Sequence, residues 1–383
     1  MRFALDVSAL GKPSPSGIKT VLRHLVPELA GQLGDESLLL WQLDLWHNER
    51  PIAAPQHDNV RLHATRFSPR LLETLWRRID WPRIEAFTGP IDIFHSIQGR
   101  MPPSRRARLA LTLHDFRHCR LRELYPGVRW FPREIARADH FLAVSACTRN
   151  DAIEFLQIPP DRITVVPNGP PEPPPPASAE RRREILARWG VRQPYLFCSS
   201  STDRRKNAAA AVRAFRILNE RRALPHQLVI VGGVHPLELD AIRAERAPGV
   251  TLTGVVTDEE YWTLLENAGA VVHPSLVEGF GLPVLEAFLK RVPQAVARGT
   301  SLTEVAEDAA IAFDPRDPDE LAQAMETLLT DTVGARRLVE RGTERLKDFS
   351  WERTAQMTLA VYRSLAASER DPIFRGRPTA TTA

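Results

Sequence analysis

One run of prolines, NGPPEPPPPASAE at 168–180, interrupts an otherwise regular alternation of β-rich and helical segments. Proline lacks a backbone donor and fixes φ, so neither sheet nor helix continues through such a run. What it can form is a semi-rigid connector. Before it, strands are expected at 3–8, 38–43, 91–95, 109–114, 140–145 and 163–166, with helices at 18–33, 70–87 and 148–157. After it the alternation restarts, with strands at 195–200, 227–232, 250–254, 269–274, 293–297 and 310–313. Helices are expected at 207–222, 236–246, 258–268, 283–290, 317–330 and 334–347. Strands separated by helices build right-handed βαβ units and a parallel, doubly wound sheet. The fold class is therefore α/β, with two Rossmann-like domains: 1–170, then the linker 168–180, then 181–350. A last helical pattern spans 351–366. In open α/β sheets ligands bind beyond the carboxyl ends of the strands, so a cleft between the domains is the expected site.

A length of 383 residues suits two domains rather than one. Three widely spaced cysteines, Cys119, Cys147 and Cys198, include no CxxC pair, which speaks against a disulfide framework or a zinc site and suits a reducing cytoplasm. The segment MRFALDVSAL does not read as a signal peptide, and no apolar run approaches the roughly 18–20 residues of a spanning helix.

The chemistry concentrates in HPSLVEGFGLPVLEAF, 273–288, where an apolar strand gives way to a glycine-flanked turn and Pro283 opens a helix. Proline suits the first helical turn, where its missing N–H is not needed. The N–H groups around Gly279, Phe280, Gly281 and Leu282 then face the ligand side with the helix dipole behind them, an arrangement that favours phosphate. Glu278 and Glu286 stand eight positions apart, two turns plus roughly 80° of a helix, so they cannot share one helical face. Glu278 is placed on the loop and Glu286 on the second helical turn, one carboxylate for a sugar ring and the other for a ribose diol. A nucleotide sugar, anionic and rich in hydroxyls, fits both.

A second basic element, SSTDRRKN, follows strand 195–200. Arg205 binds phosphate bidentately and Lys206 as a point charge, so together they suit a diphosphate that gains charge as it leaves. In the first half, Gly17 stands at the mouth of a helix after a Gly/Pro/Ser loop, where a phosphate or sugar can approach. TLHDF, 112–116, ends a strand with His114, suited to hold a sugar hydroxyl or the transition state. No GxxxxGK[ST] and no GxSxG is present. DPRDPDE, 314–320, reads as a turn and helix cap, so no metal site is expected.

Net charge is +4, unevenly spread: residues 100–149 hold eleven arginines against four acids. Nearby, RLLETLWRRIDWPRIEAF (70–87) sets Leu72, Leu75, Trp76 and Ile79 at helical spacing among Arg70, Arg77, Arg78 and Arg83. Such a helix can lie on an anionic membrane; the favoured reading is a stripe packed on a sheet with solvated arginines opposite. No helix-turn-helix, zinc or RNP-like motif accompanies the charge, so nucleic acid is not expected as a partner.

These residues together resemble a family. EGFGLPVLEA is similar to the E-x7-E signature of retaining GT-B glycosyltransferases of family 4. LDVSAL…SGIKTVLRHL, LTLHDF, HFLAVSACTRNDAIEFLQIPPDRITVVPNG, DRRKNAAAAVRAF and SLTEVAEDAAIAFDPRDPDELAQAM resemble its successive blocks in order, over most of 2–365. The resemblance implies a GT-B fold whose C-terminal lobe holds the nucleotide sugar and whose N-terminal lobe holds most of the acceptor. It implies Arg205 and Lys206 on the diphosphate, Glu286 on the ribose, Glu278 and the Phe280–Leu282 amides on the donor sugar, His114 as the cleft histidine and Gly17 on the acceptor side. It also implies that helix 351–366 crosses back onto the first lobe, and retention of configuration without a metal, the leaving phosphate guiding the acceptor. Two places depart from the pattern. FLKRVPQAV carries Lys290 and Arg291 where the family has a small-residue turn with glycine, and CSSST (198–202) replaces a glycine after the first strand.

The expected function is transfer of a hexose, mannose from GDP-mannose foremost, to a polysaccharide, O-antigen or lipid-linked oligosaccharide acceptor. The expected location is cytoplasmic, with 70–87 and 100–137 as the surface that meets an anionic membrane. Two alternatives stand: a soluble-acceptor enzyme of the sugar-phosphate or glucan synthase type, and a non-catalytic nucleotide-sugar or partner-binding module.

Overall fold

In the computed structural model the described residues are 1–11, 17–44, 57–125, 135–222 and 224–368. The chain divides into two compact units: Met1–His114 with Gly127–Gly169 and Ser350–Ala383, and Asp115–Pro126 with Pro170–Phe349. The first contains β1 (Arg2–Asp6), α1 (Gly17–Gly31), β2 (Ser37–Asp44), β3 (Val60–Arg66), α2 (Pro69–Ile79), α3 (Glu85–Thr88), β4 (Ile93–Ser96) and β5 (Arg108–Leu113). The short α4 (Arg117–Arg120) follows in the excursion that groups with the second unit, and β6 (His140–Ala143), α5 (Ala146–Leu156) and β7 (Ile163–Val165) return to the first.

The second unit runs α6 (Ala179–Arg188), β8 (Tyr195–Ser199), α7 (Ala208–Arg221), β9 (Gln227–Val231), α8 (Pro236–Glu245), β10 (Val250–Gly254), α9 (Asp258–Glu266) and β11 (Ala270–His273). It continues through α10 (Leu282–Leu289), β12 (Gln294–Ala297), α11 (Ser301–Ala306), β13 (Ile311–Phe313), α12 (Pro318–Thr330) and α13 (Thr332–Arg345). The final helix, α14 (Trp351–Ala367), belongs to the first unit.

Each unit has one sheet, seven strands ordered β3-β2-β1-β4-β5-β6-β7 in the first and six ordered β10-β9-β8-β11-β12-β13 in the second. All the strand pairings are parallel. Strands such as QLVIV (β9) and AVVH (β11) are nearly continuous in apolar residues because a parallel sheet is covered on both faces. In both sheets the order reverses beside the first strand, and the second reverses between β8 and β11.

Three local differences from the sequence expectation have physical causes. β3 is an edge strand with alternating exposure, and VRLHATR lacks the apolar run that betrays a central strand. Helix 70–87 breaks after Ile79: Asp80 turns left-handed (φ 52°), and the residue before Pro82 is held out of the helical region. The stripe read on that helix is only half right, since Leu72 and Trp76 are buried but Ile79 is 59% exposed. Residues 179–188, the charged α6, follow directly on the prolines, started by the Ser178 side chain accepting from Arg181 N.

The last helix is fixed to the first unit by its apolar face: Trp351, Ala355, Leu359, Val361, Tyr362 and Leu365 join the core with Leu22, Leu25 and Leu29 of α1. Trp351 stacks on His24 at 5.3 Å. Tyr362 Oη meets His95 Nδ1 at 2.6 Å, and His95 Nε2 meets Thr112 Oγ1 at 2.8 Å. A large apolar side chain contributes about 1.5–3 kcal/mol when buried, so this face outweighs the half-exposed Arg363–Glu36 pair at 2.7 Å.

Candidate functional site

Residues 72 positions apart meet in the second unit because β8 and β11 are neighbours at the strand-order reversal. At such a switch point the loops from adjacent strands part to opposite sides and leave room for a ligand. The loop after β8 ends in a tight turn, Arg204–Lys206, and Asn207 then enters the left-handed region (φ 55°) to start α7. Asn207 Nδ2 donates to the carbonyls of Pro274 and Pro315, tying this turn to the loop after β11.

From that second loop Glu278 is directed onto the turn. Its Oε1 lies 2.7 Å from Lys206 Nζ and its Oε2 2.5 Å from Arg205 Nη1. Ser275 Oγ donates to Oε1 at 2.9 Å, and Arg205 Nη1 also donates to the Val277 carbonyl at 2.9 Å. The Glu278 side chain is only 9% exposed. Burial alone pushes a carboxyl up, but Arg205 and Lys206 outweigh it and hold this one well below its ordinary 4.5. Arg205 and Lys206 thus converge on Glu278 beside the amides of 280–282, and Asp203 is a second carboxylate 3.3 Å from Arg205 Nε.

Glu286 sits on the second turn of α10, where its Oε2 accepts from Tyr261 Oη at 2.6 Å. Tyr261 is in turn hydrogen-bonded to Ser199 at the end of β8. Burial raises the Glu286 carboxyl above its ordinary 4.5, and neither the Tyr261 hydrogen bond nor the Lys206 charge cancels that. The two glutamates are therefore pushed in opposite directions. One is an anchored counter-ion; the other is held ready for a hydrogen-bonding partner.

Gly281 begins α10 at φ 115°, a conformation L side chains avoid, and a Cβ there would stand 2.8 Å from Leu302 Cδ2. Among the described residues the N–H groups of Phe280, Gly281 and Leu282 have no hydrogen-bond partner. Gly279, next to them on the same turn, makes a contact of its own. The Phe280 ring is buried edge-on against Phe349 at 5.8 Å, so only its backbone is available to a ligand.

Arg205, Lys206, Glu278, Phe280–Leu282 and Glu286 thus come together in one unit, while His114 and Gly17 lie in the other. His114 Nε2 faces the Ile97 carbonyl at 2.9 Å, so the neutral ring carries its proton on Nε2. Gly17 is the exposed first residue of α1, and residues 12–16 before it lie outside the described residues. Sequence reading missed Asp203, Ser275, Tyr261 and Gly232. The last had a signal: a Gly-Gly pair directly after β9, where a Cβ on Gly232 would collide with the Ser200 carbonyl. Tyr261 had none, being one apolar-face residue among several on α9.

The two departures at 290–291 have local explanations. Lys290 Nζ pairs with Glu266 at 2.8 Å and lies over the Trp262 ring. Arg291 is left-handed (φ 56°), the conformation glycine supplies freely, and donates to Thr343 Oγ1. Relief of left-handed strain makes Arg291→Gly stabilising by about 0.5–1 kcal/mol, measurable as a higher urea midpoint with unchanged m.

DPRDPDE is a cap, as its sequence suggests: Asp317 Oδ1 accepts from Asp319 N and Glu320 N at the start of α12.

Two parallel-sheet Rossmann-like units, the second with a basic turn at its switch point, match the GT-B glycosyltransferase class. Solved structures share the fold: the lipopolysaccharide glycosyltransferase WaaG, with TM-score 0.67 and 14% identity over 94% of this chain and 99% of that one. Sucrose-phosphate synthase from Thermosynechococcus elongatus gives 0.68 and 19% over 96% and 100%. Residues 15–172 match the model described as Glycosyltransferase Family 4, and 182–345 the one described as Glycosyl transferases group 1. The two models together span most of the chain, which is a GT-B glycosyltransferase similar to family 4. Among curated relatives, O-antigen chain mannosyltransferase B of Escherichia coli is 29% identical over 69% of this chain and 72% of its own length. The serotype-specific mannosyltransferase WbdA of Escherichia coli is 28% identical over 62% of this chain, which spans only 30% of that protein. MMP alpha-(1->4)-mannosyltransferase of Mycolicibacterium hassiacum is 28% identical over 64% and 59%.

Proposed function

We propose that this glycosyltransferase retains anomeric configuration and moves a hexose, with mannose from GDP-mannose the first donor to test, onto a polysaccharide, O-antigen or lipid-linked oligosaccharide acceptor. The observation that carries the donor site is the convergence of Arg205 and Lys206 on Glu278 beside the amides of Phe280, Gly281 and Leu282. Arg205 and Lys206 supply the positive charge that a departing diphosphate needs, so turnover proceeds without a metal. Glu286 takes the ribose hydroxyls and Glu278, with the amides, the sugar. The leaving phosphate guides the acceptor onto the same face of the sugar, and the His114 ring steadies a sugar hydroxyl. The choice of mannose and of a surface-polysaccharide acceptor rests on the relatives, two of the three being O-antigen or serotype-specific mannosyltransferases by name. Transfer from GDP-mannose in the presence of EDTA, with the product anomer read by NMR, is the test. An inverted product, or turnover abolished by EDTA and restored by a divalent ion, overturns the mechanism.

Glu286→Gln separates binding from stability. Because the fold raises this carboxyl, its ionisation counts against stability as pH rises above 4.5. A neutral isostere removes that penalty while still accepting from Tyr261. The variant melts higher than wild type at neutral pH, the gain vanishing toward pH 4, and binds the donor more weakly.

One observation favours a membrane-facing acceptor. On and after α2, Leu71, Ile79 and Trp81 are 52%, 59% and 60% exposed, with Arg70, Arg77, Arg78 and Arg83 exposed among them. Among the described residues no helix is long and apolar enough to cross a membrane, so the contact is peripheral. Several nearby arginines are engaged internally, Arg100 with Glu73 and Arg108 with Asp139, and Arg129 and Arg133 lie outside the described residues. Wild type co-sediments with anionic vesicles, and the Leu71→Ser, Trp81→Ser double variant loses most of that binding; equal sedimentation of the two sinks this reading.

A further inference from the structure

The segment Asp115–Tyr125 follows His114 directly in the chain, yet its contacts group it with the second unit. Asp203, the residue before the Arg204–Lys206 turn, receives two side chains of that segment. Its Oδ1 accepts from the Arg205 backbone N–H at 3.2 Å, and its Oδ2 lies 3.3 Å from Arg205 Nε. Arg117 Nη1 reaches Oδ2 at 3.2 Å, and Tyr125 Oη donates to Oδ1. Asp203 N is bonded to Ser201 Oγ at 3.3 Å, which fixes the carboxylate over the turn. Arg117 also faces Asp115 at 3.4 Å, and the Tyr125 ring meets His118 edge-on at 4.7 Å. A second tether runs from Arg120 Nη1 to the Gly299 carbonyl at 3.2 Å, next to Ser301, whose Oγ donates to the Glu278 carbonyl at 2.8 Å.

We propose that Asp203 is a positioning residue that couples the segment Asp115–Tyr125 to the Arg205–Lys206 turn, so that the turn keeps its diphosphate-binding form only while Arg117 and Tyr125 are docked on it. One carboxylate shares its two oxygens among the Arg205 backbone, the Arg205 side chain, Arg117 and Tyr125, so no partner can leave without loosening the rest. Arg205 in turn carries Glu278 and the Val277 carbonyl, so a shift at Asp203 passes directly to the donor loop. The segment begins one residue after His114, the residue read as meeting the sugar.

This role rests on the reading of the turn as the diphosphate site, and the two fail separately. Tyr125→Phe removes one hydroxyl and keeps the ring. The expected result is faster amide exchange at 203–207 as well as at 117–125, with the melting temperature near that of wild type. GDP and UDP bind about tenfold more weakly, the loss that one hydrogen bond to a charged group corresponds to. Asp203→Asn weakens binding further, and the double variant is no worse than Asp203→Asn alone, since both act through one carboxylate. Unchanged exchange at 203–207 in Tyr125→Phe, or additive losses in the double variant, overturns the coupling while leaving the site reading intact. Absence of binding of GDP, UDP, ADP and dTDP alike in the wild type overturns the site reading itself, whatever the exchange shows.

Discussion

Lys206→Ala lowers kcat for hexose transfer by about 10²–10³-fold, the scale of losing one preorganised charge stabiliser, while the donor KM changes far less. The reason lies in what the lysine does before and during the reaction. In the structure Lys206 Nζ is held 2.7 Å from Glu278, and Arg205 holds the other oxygen of the same carboxylate. The ground-state diphosphate is still met by Arg205 when the lysine is gone. The extra negative charge that appears as the sugar leaves is not. Single-turnover kinetics reads the difference: a fall in the chemical step with little change in donor affinity is the signature of an interaction made mainly in the transition state. A raised KM with an unchanged chemical step would move Lys206 to a simple binding role.

Glu278→Ala has the largest effect on stability. It strands Arg205 and Lys206, whose side chains are 14% and 15% exposed, without their shared counter-ion. Breaking a buried pair from one side costs about 3–5 kcal/mol, so the second unit unfolds at markedly lower denaturant while the first is little changed. The pH dependence carries the same signature. The fold depresses this carboxyl, so its contribution is fully present above the ordinary 4.5 and is lost as pH falls through the depressed value. The gap between wild type and variant is therefore constant through neutral pH and closes only in acid. A gap that instead widened in acid would contradict the assigned charge state.

The fold was open to sequence reading because parallel strands must be apolar on both faces, and five of the six strands of the second unit carry such runs, the edge strand β10, VTLTG, being marked by its β-branched residues instead. β3 was not, since an edge strand with one wet face carries no such mark. The site was legible where local backbone demands leave a residue signature: Pro283 at a helix start, Gly281 at φ 115°, glutamates spaced so that one falls on the loop. What stayed hidden is what depends on strand order. Nothing local says that Glu278 pairs with residues 72 positions earlier, nor that Tyr261 caps Glu286. The grouping of Asp115–Tyr125 with the second unit also had no sequence signal, since its side-chain contacts there, Arg117 and Tyr125 on Asp203 and Arg120 on the Gly299 carbonyl, join residues far apart in the chain.

The central claim is that the Arg205–Lys206 turn and the Glu278–Glu286 segment together hold a nucleotide sugar. Thermal shift of the wild type, Lys206→Ala and Glu286→Gln against GDP-, UDP-, ADP- and dTDP-sugars tests it most directly, because a ligand specific to the folded state raises the melting temperature. The expected result is a rise with one class of donor, GDP-mannose first, that is reduced in Glu286→Gln and nearly retained in Lys206→Ala. An undiminished rise in Glu286→Gln, or none with any donor in the wild type, would contradict it.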